Sequence, residues 1–269
     1  GIGECRRKCG RHAGHLGGYS GSGVLVIRMA QPRYLLLQVR NADDPMRQQE
    51  VACFARALDC TAKAFAIADL LAGWPAPDVF EDVDVVFLGG SGEYSAASDD
   101  PWLHKTFDGL RWLCDSEKPT FASCWGFQAI ARALGGRCIH DPAHAELGNV
   151  SLHLTDAGRN DPLFGPLPET FLGHAGHEDH VVELPPDAVL LASTRRVANQ
   201  AFRLTDRLVY CTQFHPELDR AALIERVEAY PQYVENIAGM PVDQVKRTCQ
   251  ETPEANKLLS DFAAMAAAG

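Results

Sequence analysis

The chain has 269 residues, 46% of them hydrophobic, with a formal net charge of −10 and a pI of about 5.4. An acidic surface repels phosphate backbones and anionic lipid, which argues against nucleic acid and membrane as partners. No apolar run reaches the roughly 18–20 residues of a membrane span, and the length suffices for one large α/β domain with its own core.

Residues 1–28 differ in composition from the rest of the chain. "GIGECRRKCGRHAGHLGGYSGSG" is rich in Gly, Arg and His and has little hydrophobic periodicity. Cys5, Cys9, His12 and His15 stand too close together for the usual zinc-finger spacing, so no metal site is expected there. "GVLVIRMA" is too short for a secretory signal and lacks a small-residue cleavage pattern. The expectation is a disordered, dispensable leader or an over-extended reading frame, with Met29 as a natural start and 29–269 as a single domain. The nine cysteines, at 5, 9, 53, 60, 114, 124, 138, 211 and 249, are odd in number and scattered, which reads as reduced thiols in a cytoplasm.

"YLLLQVR" (34–40) is a first strand, followed by a loop and a helix through Gln48–Leu58. "AKAFAIADL" (62–70) and "DVVFLGG" (84–90) are the next strands, the latter ending in glycines. In 100–118, Trp102, Leu103, Phe107, Leu110 and Leu113 share one helical face behind the start signal Asp100-Pro101. "PTFA" (119–122) is a short buried strand, and Phe127, Ile130, Ala131 and Leu134 recur at helical spacing before Gly135-Gly136. The order is that of a doubly wound, mostly parallel α/β sheet of flavodoxin-like type. The runs 148–158, 169–184, 188–194, 199–204 and 207–214 predict an antiparallel extension of that sheet. A helical C-terminal tail over about 219–269 is broken at Pro231, Pro241 and Pro253.

Cys124 falls at the sharp turn between the fourth strand and its helix, with Gly126 two residues on. Such a turn lifts a side chain out of the sheet, and the helix N-terminus offers unpaired N–H groups that favour a thiolate. Taken alone, a buried cysteine packing as a small hydrophobe explains the stretch equally well. "QFHPEL" (213–218) places His215 before a proline, which pushes it toward an extended conformation. Residues i and i+2 of an extended segment point the same way, so Glu217 can orient the imidazole and leave its other nitrogen to take a proton from a thiol. Read alone, this could be an ordinary surface turn. At "FLGGSGEYS" (87–95) a glycine turn presents backbone N–H groups, so Gly90 with Trp125 behind the cysteine can form an oxyanion hole. A phosphate loop does not fit, because no lysine follows. His174, His177 and His180 cluster at near-alternate positions, which a strand lip explains without a metal.

The glycine pair, then Ser-Cys-Trp-Gly-Phe-Gln, then Gln-Phe-His-Pro-Glu, in that order, resembles the class I glutamine amidotransferases, within them the stand-alone, GMP-synthase-like group. The resemblance runs over about Tyr34–Glu217 and the "TPEANKLL" tail. It includes "LTDAGRNDPLFGPLP" (154–168) and "HEDHVVELPPDAVLLA" (177–192). It implies Cys124 as nucleophile on the glutamine carboxamide, His215 as base and then acid, and Glu217 as its orienter. It also implies backbone oxyanion donors at Gly90 and Trp125, and substrate contacts at Gln128, Gly176 and His177, with no cofactor and no metal. The chain departs from the family at Ala122, where glycine is usual, at Phe127, and at Gly176, where many members have serine. The expected activity is release of ammonia from L-glutamine through a γ-glutamyl thioester, with a separate synthetase partner taking the ammonia. The alternatives are a free hydrolase of γ-glutamyl peptides or amides, and a non-catalytic sensor or binding module of the same fold.

Overall fold

The computed structural model describes residues 33–239 and 241–268, so the expected leader at 1–28 lies outside the described residues. In chain order these residues form β1 (Tyr34–Gln38), α1 (Met46–Ala57), β2 (Phe65–Asp69), α2 (Asp78–Glu81), β3 (Val85–Leu88) and α3 (Pro101–Asp115). Next come β4 (Thr120–Ser123), α4 (Trp125–Ala133), β5 (Arg137–His140), β6 (Glu146–Leu154), α5 (Asp156–Arg159) and β7 (Thr170–His177). They continue as β8 (Asp179–Glu183), β9 (Ala188–Ser193), β10 (Ala201–Leu204), β11 (Val209–Thr212), α6 (Arg220–Ala229), α7 (Pro231–Ala238), α8 (Val242–Thr248) and α9 (Pro253–Ala268).

Nine strands make one sheet in the order β2-β1-β3-β4-β11-β10-β9-β6-β7. The first five are parallel and the rest antiparallel. This is the doubly wound α/β class with the antiparallel extension that the sequence predicts. The inner parallel strands β1, β3, β4 and β11 are buried at every position because both of their faces are covered, whereas the edge strand β2 is partly exposed, and the period of two divides the inner strands between the two faces. Leu35, Leu37, Val86, Leu88, Ala122 and Cys211 pack on the face of α3 and α4. Tyr34, Leu36, Val85, Phe87, Phe121 and Tyr210 pack on the opposite face, against Phe54 of α1 and Leu258, Leu259 and Phe262 of α9.

The run 169–184 is not one strand. It breaks at Glu178, and the second piece, β8, pairs with the short β5 in a separate two-stranded sheet. The prolines of the tail act as read: Pro231 and Pro253 occupy first helical positions, where the missing N–H costs nothing. No helix among the described residues is long and apolar enough to cross a membrane.

Ligands of such sheets gather beyond the carboxyl ends of the strands. Three adjacent parallel strands, β3, β4 and β11, end at Gly89-Gly90, Cys124 and the Gln213–Leu218 turn. The sheet order, not the sequence order, brings those three segments together.

Candidate active site

Cys124 is the residue between β4 and α4, and its backbone lies at φ 51°, ψ −104°. A side-chain-bearing residue rarely adopts that conformation, and holding it costs about 1–3 kcal/mol. The turn is forced from both sides. The Cys124 N–H donates to Thr212 O of the neighbouring strand at 2.8 Å, and α4 presses onto the sheet through Gly126. A Cβ at Gly126 would stand 2.6 Å from the Leu88 Cβ and 3.2 Å from the Ala122 Cβ, so the alanine at 122 is accommodated because 126 is glycine. Burial is the leading influence on the thiols of Cys53, Cys60, Cys114, Cys138, Cys211 and Cys249, and it pushes all six above the ordinary cysteine range.

His215 and Glu217 lie side by side as the His-Pro-Glu spacing requires. The His215 Nδ1 is 2.6 Å from the Glu217 Oε1, and the two residues are 5% and 1% exposed. Burial alone disfavours the imidazolium. The adjacent Glu217 carboxylate and the Cys124 side chain outweigh it and raise the His215 pKa to about 9. Burial likewise works against the Glu217 carboxylate, and the charge of His215 overcomes it, holding the carboxyl well below its usual range. Arg226 adds to this, with its Nη1 at 3.9 Å from the Glu217 Oε1. The turn itself is tied from α9, where the Asn256 side chain donates to Pro216 O at 2.8 Å and to Leu218 O at 2.6 Å.

Gly90 sits between the two groups. A Cβ there would lie 2.9 Å from the His215 Cε1 and 3.6 Å from the Cys124 Cβ, so only glycine leaves room. Its N–H, expected as an oxyanion donor, is turned in this structure to a side chain rather than to the crevice. It donates at 3.1 Å to the Oε1 of Glu50, a fully buried residue of α1. The other end of the same peptide is held too, since the Gly126 N–H donates to Gly89 O at 3.2 Å. Glu50 is fixed in turn by Gln38 Nε2 at 2.8 Å and by the buried Arg40. The Trp125 N–H, at the first helical position, has no partner among the described residues.

The remaining expected contacts divide. Gln128 lines the crevice, but its Nε2 is spent on Asp179 O at 2.8 Å and Gln213 Oε1 at 3.2 Å, which leaves its carbonyl oxygen as the atom to offer. Gly176 lines the crevice, with its carbonyl 3.9 Å from the Cys124 Sγ. His177 also lines it, yet both ring nitrogens are occupied: Nδ1 by Asp179 O at 3.0 Å and Nε2 by Glu146 Oε2 at 3.1 Å. Its ring thus contributes a wall of the crevice with both nitrogens already hydrogen-bonded. His174 is fully buried with both nitrogens unpartnered among the described residues. Asp179 does not stand out from the sequence as a site residue. It lines the crevice and is held by Ser95 and His140 at 2.5 and 2.8 Å. Its only sequence signal is its place among the histidines of "HAGHEDH". Glu50, Arg40 and Asn256 give no signal, being ordinary members of their segments.

Two cavities meet at this point. One is lined by Cys124, Trp125, Gln128, Tyr94, Glu178 and Asp179, and its walls are mostly polar. The other is lined by His215 and lies under α6 and α7. Ser91, Gly92 and Gly176 form the sill shared by both.

Comparisons with known proteins agree with this architecture. The chain is 30% identical over 145 residues to gamma-glutamyl peptidase 4 of Arabidopsis thaliana, covering 53% of this chain and 57% of that protein. Against the glutamine-hydrolyzing GMP synthase of Petrotoga mobilis the match is 27% over 128 residues, 48% of this chain and 24% of that one. The chain thus spans little more than half of the peptidase and about a quarter of the synthase. The crystal structure of a glutamine amidotransferase from Thermotoga maritima shares the fold, with a TM-score of 0.67 and 19% identity over 88% of this chain and 97% of that one. The family model for class-I glutamine amidotransferases matches residues 65–222, more than half of the sequence and the whole stretch from β2 to the His-Pro-Glu turn, and the chain belongs to that family.

Proposed function

We propose that the protein is an amidohydrolase that cleaves the γ-amide of L-glutamine or of a γ-glutamyl compound through a thioester on Cys124. The observation that carries the reading is the meeting, at three adjacent strand ends, of a cysteine in a strained turn and a histidine whose Nδ1 alone is bound by a buried carboxylate. Cys124 attacks the γ-carbonyl, and the developing oxyanion is met by the free Trp125 N–H. Gly90 can join it only after its N–H leaves Glu50. His215, holding the thiol proton, gives it to the departing nitrogen as the carbon–nitrogen bond breaks. Water, deprotonated by His215, then opens the thioester and restores the thiol. Glu217 stabilises the imidazolium throughout. On the acyl side, the carbonyl oxygen of Gln128 and the carboxylate of Asp179 are acceptors for the α-ammonium of the glutamyl group.

When ammonia is the product, a synthetase on a separate chain is the partner that consumes it. The Petrotoga relative, by its name, is a synthase that hydrolyses glutamine, and the match takes in only 24% of its length. Cytoplasmic placement suits a catalytic thiol, and the seven cysteines among the described residues stand unpaired. An intact Cys124, His215 and Glu217 argue against a purely non-catalytic module.

The test is Cys124→Ala, which lowers kcat by about 10³-fold or more while leaving the melting temperature unreduced. The parent is labelled at Cys124 by a glutamine-like electrophile and the variant is not. Labelling at Cys114 or Cys138 instead overturns the assignment.

A further inference from the structure

The cavity under α6 and α7 has no role in holding a glutamyl group, because Cys124 and the polar acceptors lie on the other side of the sill. It nevertheless opens on His215, the group that must protonate whatever leaves. A general acid lies next to the atom it protonates, so the leaving nitrogen of any bound substrate faces this cavity. The cavity leaves about 90 Å³ to the centre of a water-sized sphere. A single molecule the size of water or ammonia needs roughly 10–15 Å³ on that measure, so the space exceeds what ammonia alone would fill.

The lining states what such a leaving group must be. Leu147, Leu218, Leu223, Val227 and Val234 make an apolar wall. The polar groups on the wall are nearly all spent. Arg40 is paired with Asp44 at 3.0 Å and with Glu50 at 3.2 Å, and the Tyr230 hydroxyl donates to Asp44 at 2.6 Å. Arg226 differs. Its Nε donates to Gln49 at 2.9 Å and its Nη1 lies 3.9 Å from the Glu217 Oε1, while its Nη2 is buried and has no partner among the described residues. A guanidinium N–H left unsatisfied in an apolar wall is a donor waiting for an anionic or carbonyl oxygen.

Resting on the amidohydrolase reading above, we infer that this cavity is a leaving-group site for the second residue of a γ-glutamyl peptide. Its apolar wall takes a large aliphatic side chain and Arg226 takes the carboxylate. Thiolate attack forms the sulfur–carbon bond, the peptide carbon–nitrogen bond breaks, and the His215 proton goes to the freed α-amino group of the departing amino acid. Water then supplies the hydroxyl that releases glutamate, so no further reactant is needed.

The experiment is steady-state hydrolysis of L-glutamine, γ-Glu-Leu, γ-Glu-Asp and γ-Glu-leucinamide by the full chain. The expected kcat/KM for γ-Glu-Leu exceeds those for glutamine and γ-Glu-Asp by about 10- to 200-fold, the range for seating an aliphatic group in an apolar pocket. The neutral leucinamide is cleaved about tenfold less well than γ-Glu-Leu, a loss typical of one charge-assisted hydrogen bond. Leu223→Trp, and independently Val227→Phe should the first misfold, bring the γ-Glu-Leu to γ-Glu-Asp ratio close to one. Glutamine cleaved better than every γ-glutamyl peptide, or a ratio indifferent to both folded variants, overturns the inference and leaves the amidohydrolase reading standing. Absence of Cys124-dependent cleavage of any of the four sinks the amidohydrolase reading itself.

Discussion

Two buried histidine–glutamate pairs flank the crevice, and they are built for opposite ends. At the edge of β6 and β7, His177 meets Glu146 at 3.1 Å, and every remaining valence is closed. The other ring nitrogen goes to Asp179 O, and Glu146 also accepts from the Thr194 hydroxyl at 2.7 Å and from the Gln200 amide at 2.5 Å. After β11, His215 meets Glu217 at 2.6 Å, but the rest of the pair is left open. The His215 ring and the Cys124 side chain both lie beside Gly90, only the Nδ1 of the ring is hydrogen-bonded among the described residues, and the Glu217 Oε2 has no partner there. The same two residue types give a strut where all groups are satisfied and, on the function proposed above, a reactive centre where one nitrogen is withheld. A buried polar group without a partner is expensive, so it persists where the chemistry uses it.

The largest effect that separates the pairs is on turnover. Glu217→Gln keeps the shape of the turn and removes the charge that supports the imidazolium, so kcat falls by about 10²–10⁴-fold with KM little changed. A loss of only a few-fold across pH 6–9 would erase the distinction between the pairs. Glu146→Gln gives the converse result. The new amide points N–H groups at Gln200 or His177, which are themselves donors, so stability drops by about 1–3 kcal/mol and kcat stays within a few-fold. Urea unfolding beside the glutaminase assay reads both quantities, and a collapse of kcat in a folded Glu146→Gln protein would make the strut a catalytic partner.

The smallest effect concerns His174, whose carbonyl accepts the His215 N–H at 2.8 Å. Burial, and then the nearby His215, lower its pKa to about 4. The unfolded chain therefore takes up a proton near pH 6.5 that the folded chain refuses until about pH 4. This contribution to stability is present above pH 6.5 and is lost as pH falls toward 4, a total of about 3 kcal/mol. His215 has the reverse sign: its raised pKa contributes below pH 6.5 and is lost as pH rises through about 9. His174→Leu removes the acid-side loss, so melting temperatures at pH 8 and pH 5 differ by several degrees less than in the parent. An unchanged difference would show that His174 is not the group responsible.

What could be read from the sequence followed locality. The elbow at Cys124 was legible because strand, turn and helix lie within fifteen residues and each has its own periodicity. His215 and Glu217 were legible because proline fixes the backbone between them. The contacts that decide the roles of Gly90 and His177 were not. Glu50 is 40 residues from Gly90 and Glu146 is 31 from His177, and neither carboxylate stands out from its segment. Periodicity reports which face of an element is buried, not which donor across the sheet will claim an N–H. The single reading of 169–184 failed for a related reason. Both halves alternate like strands, and only tertiary pairing sends β8 to β5.

The backbone of Cys124 has a consequence for how such a chain can change over time. At φ 51° a glycine would sit without strain, so on the function proposed above the substitution that ends the chemistry also relaxes that turn. Descendants that drift to glycine at 124 gain robustness as they lose turnover. Inactive relatives are then a downhill outcome of mutation, and continued selection for the reaction is what keeps a thiol on so uncomfortable a turn.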